Sequence, residues 1–181
     1  MPSDQPLPNL WLLSDERNDA RLEPALANLP KGSGFVFRHY HLKEPARQQR
    51  YLALRDLCLA HGHLMILSGD AETATAWHAD GIYGLPAKLG ERAGLLRLAT
   101  VHDLREVGLA NRAGVDGMFL SPVFPTRSHP DASCLGVANF RSIATEAESP
   151  VIALGGMTAE RAAELDWPRW GAIDGYIPKT P

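Results

Sequence analysis

Cysteine is scarce: Cys58 and Cys134 are the only two in 181 residues, and neither stands in a Cys-x-x-Cys pair or a Cys/His cluster with metal-ligand spacing. A disulfide framework and a structural zinc site are excluded as organising devices. No apolar window approaches the ~18 residues needed to cross a bilayer, and residues 1–13 lack a basic segment leading into an apolar stretch of secretory length. The expected location is cytoplasmic, with no membrane partner. Long basic runs are missing too, and the net charge is −3, from 18 Lys and Arg against 21 Asp and Glu. That balance leaves no electrostatic footprint for nucleic acid and leaves room for a local site that takes an anionic small molecule.

What is present is a folding composition, 45% hydrophobic and 22% charged, which excludes general disorder and suits a single domain over residues 1–181. Short runs rich in Val, Ile, Leu and Phe recur at 10–13, 35–38, 64–67, 81–83, 95–99, 117–120, 151–154 and 172–177. Between them lie segments with helical spacing at 45–60, 71–78, 103–113, 139–147 and 159–165, several opened by a capping residue such as Asp70, Asp103 or Thr158. The stretch 85–94 has room for only a turn or two. Eight alternating units predict an α/β fold, a compact TIM (β/α)8 barrel, with an open doubly wound sheet as the alternative. Few residues follow the last run, so the eighth helix is expected to be missing. A homodimer is expected to cover the outer face of strand eight around Ile173 and Ile177.

In such a barrel chemistry sits just beyond the C-terminal ends of the strands. Two stretches there stand out. Gly117-Met-Phe-Leu-Ser-Pro-Val-Phe-Pro-Thr-Arg-Ser-His-Pro130 runs from a strand into a loop where Thr126, Ser128, backbone amides and the His129 imidazole suit an oxyanion such as phosphate. Val151-Ile-Ala-Leu-Gly-Gly-Met-Thr158 places Gly155 and Gly156 where backbone amides can approach an anion closely. Each stretch alone also reads as an ordinary turn; together they fall on neighbouring strands six and seven.

These stretches, with Phe35-Val-Phe-Arg38, Ala79-Asp-Gly-Ile82, Val101-His102-Asp103, Ala113-Gly-Val-Asp-Gly117 and Leu135-Gly136, make the chain resemble the thiamine phosphate synthase and TenI-type thiazole tautomerase family from Leu10 to Gly175. The resemblance implies thiamine biosynthesis: a transferase that joins a pyrimidine diphosphate to a thiazole phosphate and releases pyrophosphate. It implies that Arg38 contacts the diphosphate, that Thr126 and Ser128 lie by the phosphates, that Gly155 and Gly156 hold the thiazole phosphate, and that Thr100 lies near the pyrimidine.

The departures are specific. The family pattern holds magnesium between acidic residues after strands three and four, whereas these places read Ser68-Gly69 and Lys88. Hard cations want carboxylate oxygens, so no metal site and no resident cofactor are expected, magnesium remaining open only if a loop shift brings in Asp70, one residue off, and the diphosphate site is degenerate. A basic residue after Arg38 becomes Tyr40, the lysine after Ser128 becomes His129, and the tautomerase histidine becomes Pro122. Diverged family members, some fused to nucleotide-hydrolysing domains, carry a Ser-His-Pro like Ser128-His-Pro130 and a basic residue like Lys88, and the chain resembles that branch. Alternatives to the synthase are a metal-free thiazole phosphate isomerase or salvage enzyme, with His129 moving a proton near neutral pH, and a catalytically silent binder of thiamine-related phosphates. His129 and Arg38 are the candidate catalytic residues. His61, His63 and His78 read as structural or solvated near the surface, His102 as part of a helix start, and Trp77, Trp167 and Trp170 as packing residues.

Overall fold

Each strand is short and apolar on both faces, the pattern of a sheet with side chains packed inside it and helices packed outside. The computed structural model describes residues 6–90, 94–126 and 133–174. Its strands are β1 (Leu10–Leu13), β2 (Gly34–Phe37), β3 (Leu64–Ser68), β4 (Gly81–Gly84), β5 (Leu96–Val101), β6 (Gly117–Leu120), β7 (Val151–Ala153) and β8 (Trp170–Ala172). They are parallel in sequential order, and β8 pairs back onto β1 with Leu10 opposite Trp170 and Leu12 opposite Ala172. The architecture is the closed (β/α)8 barrel, and the open sheet is excluded. The helices are α1 (Leu22–Asn28), α2 (Ala46–His61), α3 (Ala71–Ala76), α4 (Leu104–Ala113), α5 (Gly136–Ala144) and α6 (Ala159–Leu165). A 3-10 helix, Glu16–Arg21, leads into α1, and another, Pro86–Lys88, supplies the short turn expected between β4 and β5. Among the described residues no helix is long and apolar enough to cross a membrane.

Most element ends shift by one or two residues from the sequence expectation, and two elements shift further or as a whole. Strand eight lies earlier than 172–177, because pairing with β1 and the bond from the Trp170 amide to the Asn9 carbonyl (2.9 Å) fix its register at Trp170. Helix α5 starts at Gly136 rather than 139, where a φ of +70° turns the chain out of the preceding loop. Ile173, expected on the outer face of strand eight, instead packs against the barrel-interior cluster just beyond β8, and Ile177 and the segment expected to lack a helix lie outside the described residues.

Inside the barrel Trp11, Leu13, Val36, Ile66, Tyr83, Leu98, Phe119 and Ile152 form one apolar cluster. Trp11 and Tyr83 each meet Phe119 edge to face with centroids 5.4 Å apart. The indole fits because Gly34 opposes it, where an added Cβ would enter the ring. Outside, Leu12, Phe35, Phe37, Leu67 and Leu120 pack under helix residues such as Leu22, Tyr51, Leu54, Val107 and Phe140. The Asp-Gly pairs at 80–81 and 116–117 pin the base: Asp80 accepts the Met65 amide and Asp116 the Arg97 amide, each at 2.7 Å. Asp70, Asp103 and Thr158 cap α3, α4 and α6 as expected.

His63 is buried rather than near the surface. One ring nitrogen, Nε2, bonds the Leu26 carbonyl at 2.9 Å, and Nδ1 has no hydrogen-bond partner. A carbonyl only accepts, so Nε2 carries a proton, and the buried, partnerless Nδ1 disfavours a second N–H and with it the charged ring. Burial pushes its pKa below the ordinary 6.5, more than the Leu26 bond raises it. The unfolded chain therefore takes up a proton at a pH where the native one does not, and stability falls as pH drops below about 6.5. Melting temperature is expected to decline from pH 7 to 5, and His63→Gln, which keeps a donor for Leu26, is expected to flatten part of that slope. An unchanged slope would refute it.

Candidate functional site

By alternation from the interior residues Ile66 and Leu98, Ser68 on β3 and Thr100 on β5 sit one inward step higher, at the mouth formed by the strand C-termini. The Thr100 side chain hydrogen-bonds the buried Tyr83, whose phenol is held above its ordinary pKa by desolvation. This bond anchors Thr100 to the interior cluster.

The first corner lies between β1 and β2. Leu13 leads into Ser14 and Asp15, and Asp15 starts the 3-10 helix through a capping box with Asn18. Asn18 in turn donates to the Leu13 carbonyl (3.0 Å) and the Ile173 carbonyl (2.9 Å), so the loop after β1 is tied to its neighbours on both sides. Arg38, the first residue beyond β2, donates Nε to the Ser14 carbonyl (2.8 Å) and Nη2 to Asp15 (3.3 Å). Burial raises the Asp15 pKa, but hydrogen bonds from Arg17 and the charges of Arg17 and Arg38 outweigh it and hold the carboxyl below its ordinary value. A shallow pocket of about 190 Å³ opens here between Ser14, Asp15 and Glu16 on one loop and Arg38, Tyr40 and His41 on the other.

From the pocket wall runs a polar chain, buried at Ser14 and His39 and partly open at Asp19, whose connections sequence reading missed. Ser14 Oγ lies 2.7 Å from His39 Nδ1, and His39 Nε2 lies 2.7 Å from Asp19. Asp19 also accepts from Arg50 Nε at 2.7 Å. Next to it, Tyr40 crosses from β2 to β3 and its hydroxyl is hydrogen-bonded to Ser68 Oγ at 2.7 Å. Arg47 of α2 donates to the Ser68 carbonyl (2.7 Å) and the Arg38 carbonyl (3.1 Å), stapling the two strand ends from behind.

The second corner joins the loops after β6 and β7. Val123 and Phe124 donate to the Leu154 and Gly155 carbonyls at 2.9 and 3.1 Å. Gly155 and Gly156 have φ of +93° and +64°. A Cβ on Gly155 would lie 2.5 Å from Pro122 Cα, and one on Gly156 would strike the Pro125 carbonyl. Two positive-φ glycines in succession thus let the two loops touch through their backbones. Arg161, one turn into α6, folds back to donate to the Gly156 carbonyl at 2.5 Å and lies over the Phe124 ring, 5.1 Å from its centroid. Sequence reading did not single out this cation, because its position on the helix gives no sign of where the guanidinium goes.

Arg38, Thr100, Thr126, Gly155 and Gly156 thus all stand at the same end of the barrel. Arg38 follows β2, whereas the glycines follow β7, three strands away round the ring, and Thr126 follows β6, four strands away. Ser128 and His129 lie outside the described residues. His41 is exposed at the pocket, whereas His39 is buried in the polar chain. His102 binds Glu106 at 2.8 Å at the start of α4 and is occupied structurally.

The family described as thiamine monophosphate synthase matches residues 11–167. Putative thiamine-phosphate synthase 2 of Aquifex aeolicus is 28% identical over 164 residues, covering 86% of this chain and 88% of that protein. Thiamine-phosphate synthase of Pyrococcus horikoshii is 26% identical over 158 residues, covering 81% and 76%. Among solved structures, thiamine phosphate pyrophosphorylase from Pyrococcus furiosus superposes with a TM-score of 0.77 at 23% identity, over 92% of this chain and 85% of that one.

Proposed function

The chain belongs to the thiamine monophosphate synthase family, and on that premise we propose that it is an enzyme of thiamine biosynthesis that joins a pyrimidine diphosphate to a thiazole phosphate and releases pyrophosphate. The observation that carries this reading is the pair of anion-suited corners on one mouth: the Arg38 pocket between β1 and β2, and the Gly155–Gly156 turn against the β6 loop. The departing diphosphate gathers negative charge, and a guanidinium held by the Ser14 carbonyl and Asp15 is oriented before the substrate arrives. Thr126, Ser128 and the backbone of the two glycines would take the thiazole phosphate, with His129 as the group that can hold or release a proton near neutral pH.

Magnesium, which the resemblance implies, does not fit the residues present. At the end of β3 the first carboxylate is Asp70, and both its oxygens are engaged at 2.8 Å, by the Thr73 amide and the Thr73 hydroxyl. Ser68 is engaged by Tyr40, and the turn after β4 offers Lys88 instead of an acid. The reading therefore uses no resident cofactor, and a cation near the ligand would be held by phosphate and water. Purified protein given both substrates is expected to form product in the presence of a chelator. Loss of activity on chelation, restored by magnesium and abolished by Asp70→Ala, would make Asp70 a metal ligand after all.

The same missing carboxylates favour a second reading, a metal-free isomerase or salvage enzyme on a thiazole phosphate, or a silent binder. Thiazole phosphate binding with no product under either condition would select it. The proposed assembly is a cytoplasmic homodimer, the commonest closed symmetry of soluble proteins. Light scattering that gives a monomer at micromolar concentration would overturn it.

A further inference from the structure

Ser14, His39 and Asp19 have the connectivity of a hydrolytic triad, but Ser14 is fully buried and its hydroxyl oxygen already accepts the Arg38 amide at 2.7 Å. An oxygen that no substrate can touch attacks nothing. The same bonds have another consequence. The ionised Asp19 carboxylate only accepts, so the neutral His39 ring carries its proton on that side and Nδ1 is left to accept the Ser14 hydroxyl hydrogen at 2.7 Å, while the same oxygen takes the Arg38 amide. His39 then carries its proton on Nε2, which donates to Asp19 at 2.7 Å. The ring is further fixed by stacking on Phe37, centroids 4.4 Å apart and 3° from parallel. All this is built at a residue with φ of +37°, a conformation that a non-glycine residue rarely adopts. Strain kept at a buried polar residue next to the mouth points to a task there.

We propose that His39 is a positioning residue: the chain Asp19–His39–Ser14 holds the backbone at Arg38 so that its guanidinium is set toward the pocket before any ligand binds. Three bonds converge on this alignment. Ser14 Oγ takes the Arg38 amide, the Ser14 carbonyl takes Arg38 Nε at 2.8 Å, and Asp15 takes Nη2 at 3.3 Å. The first passes through the Ser14 hydroxyl, whose rotamer His39 sets, and by holding the Arg38 backbone it keeps Nε in line with the Ser14 carbonyl and Nη2 with Asp15. Burial keeps the imidazole in the neutral form that can accept, lowering its pKa more than Asp19 raises it. Arg50, bonded to Asp19 and Glu23, holds the far end of the chain. The proposal rests on reading Arg38 as an anion contact, and its first test is made without a ligand.

The test follows the Arg38 Nε–H resonance by nitrogen-15 NMR, assigned by its disappearance in Arg38→Lys. In the wild type it is expected to be sharp and slow to exchange, with His39 as the Nε2–H tautomer at pH 7. His39→Leu and Ser14→Ala are each expected to broaden or lose it. Ser14→Ala leaves the backbone at residue 39 as it is and carries the test if the leucine variant fails to fold. His39→Asn is expected to restore the resonance, because Asn tolerates positive φ and its side-chain oxygen occupies the place of Nδ1 while making no bond in the place of Nε2. A role confined to filling space or holding Asp19 would not be rescued this way. The second arm titrates inorganic pyrophosphate, expected to bind about tenfold more weakly to the two broken variants and nearly normally to His39→Asn. An Arg38 resonance unchanged in the broken variants, or an imidazole protonated on Nδ1, overturns the proposal. Wild-type protein that takes no pyrophosphate while the resonance behaves as stated overturns the reading of Arg38 as an anion contact and leaves the positioning chain standing.

Discussion

Gly156→Ala is expected to abolish measurable binding of a phosphorylated thiazole, a loss of about 100-fold or more, while the barrel still unfolds in one cooperative transition. Two penalties meet at this residue. The φ of +64° costs an alanine about 1–2 kcal/mol. The Cβ would also strike the Pro125 carbonyl and approach Arg161 Nη1 to 2.9 Å and Phe124 Cβ to 3.0 Å. Backbone cannot yield as a flexible side chain does, so the β6 and β7 loops must part, and the surface proposed to receive the phosphate opens. Two further variants separate the penalties. Gly156→Asn relieves the strain and keeps the clash, so it is expected to fail as alanine does. Gly32→Ala carries a φ of +81° with nothing within 4 Å of its Cβ, at the end of the barrel away from the mouth. It is expected to lose some stability and no binding. Calorimetric titration of the three proteins checks this, and normal binding by Gly156→Ala would remove the second corner from the site.

Barrel closure was legible in the sequence because it depends on repetition: eight apolar runs, each one strand long, most of them separated by helix-length segments, three with caps at Asp70, Asp103 and Thr158. Single-residue register was legible only where strong β-formers mark it. Trp170-Gly-Ala172 carries little strand signal of its own, and its place follows from pairing with Leu10 and Leu12, some 160 residues away. The site divides in the same way. Arg38, Gly155 and Gly156 stand directly after apolar runs, so a barrel hypothesis reached them at once. Asp19 sits inside a 3-10 helix and Arg50 on the second turn of α2, and neither position hints that both meet His39. Polar chains of this kind are built from residues far apart in sequence, each unremarkable locally, and only the folded backbone brings their atoms within hydrogen-bond reach. The chemistry most dependent on the fold was therefore the part least visible beforehand.

Arg38→Ala is expected to weaken inorganic pyrophosphate binding by about 100-fold or more, since charge-assisted hydrogen bonds contribute about 1.5–3 kcal/mol each and a guanidinium offers two in one plane. Stability is expected to fall by about 1–3 kcal/mol, because the carbonyl of buried Ser14 loses the Arg38 Nε bond, and loss of the Asp15 contact adds little. The Arg38–Asp15 contact is 3.3 Å long with Asp15 partly open to solvent, and Asp15 keeps its shorter partner, Arg17 Nε at 2.8 Å. The variant should leave the affinity for a phosphorylated thiazole nearly unaltered, because that ligand is assigned to the corner between β6 and β7. Arg38→Lys tests geometry against charge. An ammonium keeps the positive charge but cannot hold the Ser14 carbonyl and Asp15 together while facing a second pair of oxygens. Its pyrophosphate affinity is expected to fall between wild type and alanine. Equal losses for pyrophosphate and thiazole phosphate in Arg38→Ala would mean that the two corners form one undivided site, and no loss for either would take Arg38 out of it. The selective result, pyrophosphate lost and thiazole phosphate kept, is the one that a two-corner mouth requires.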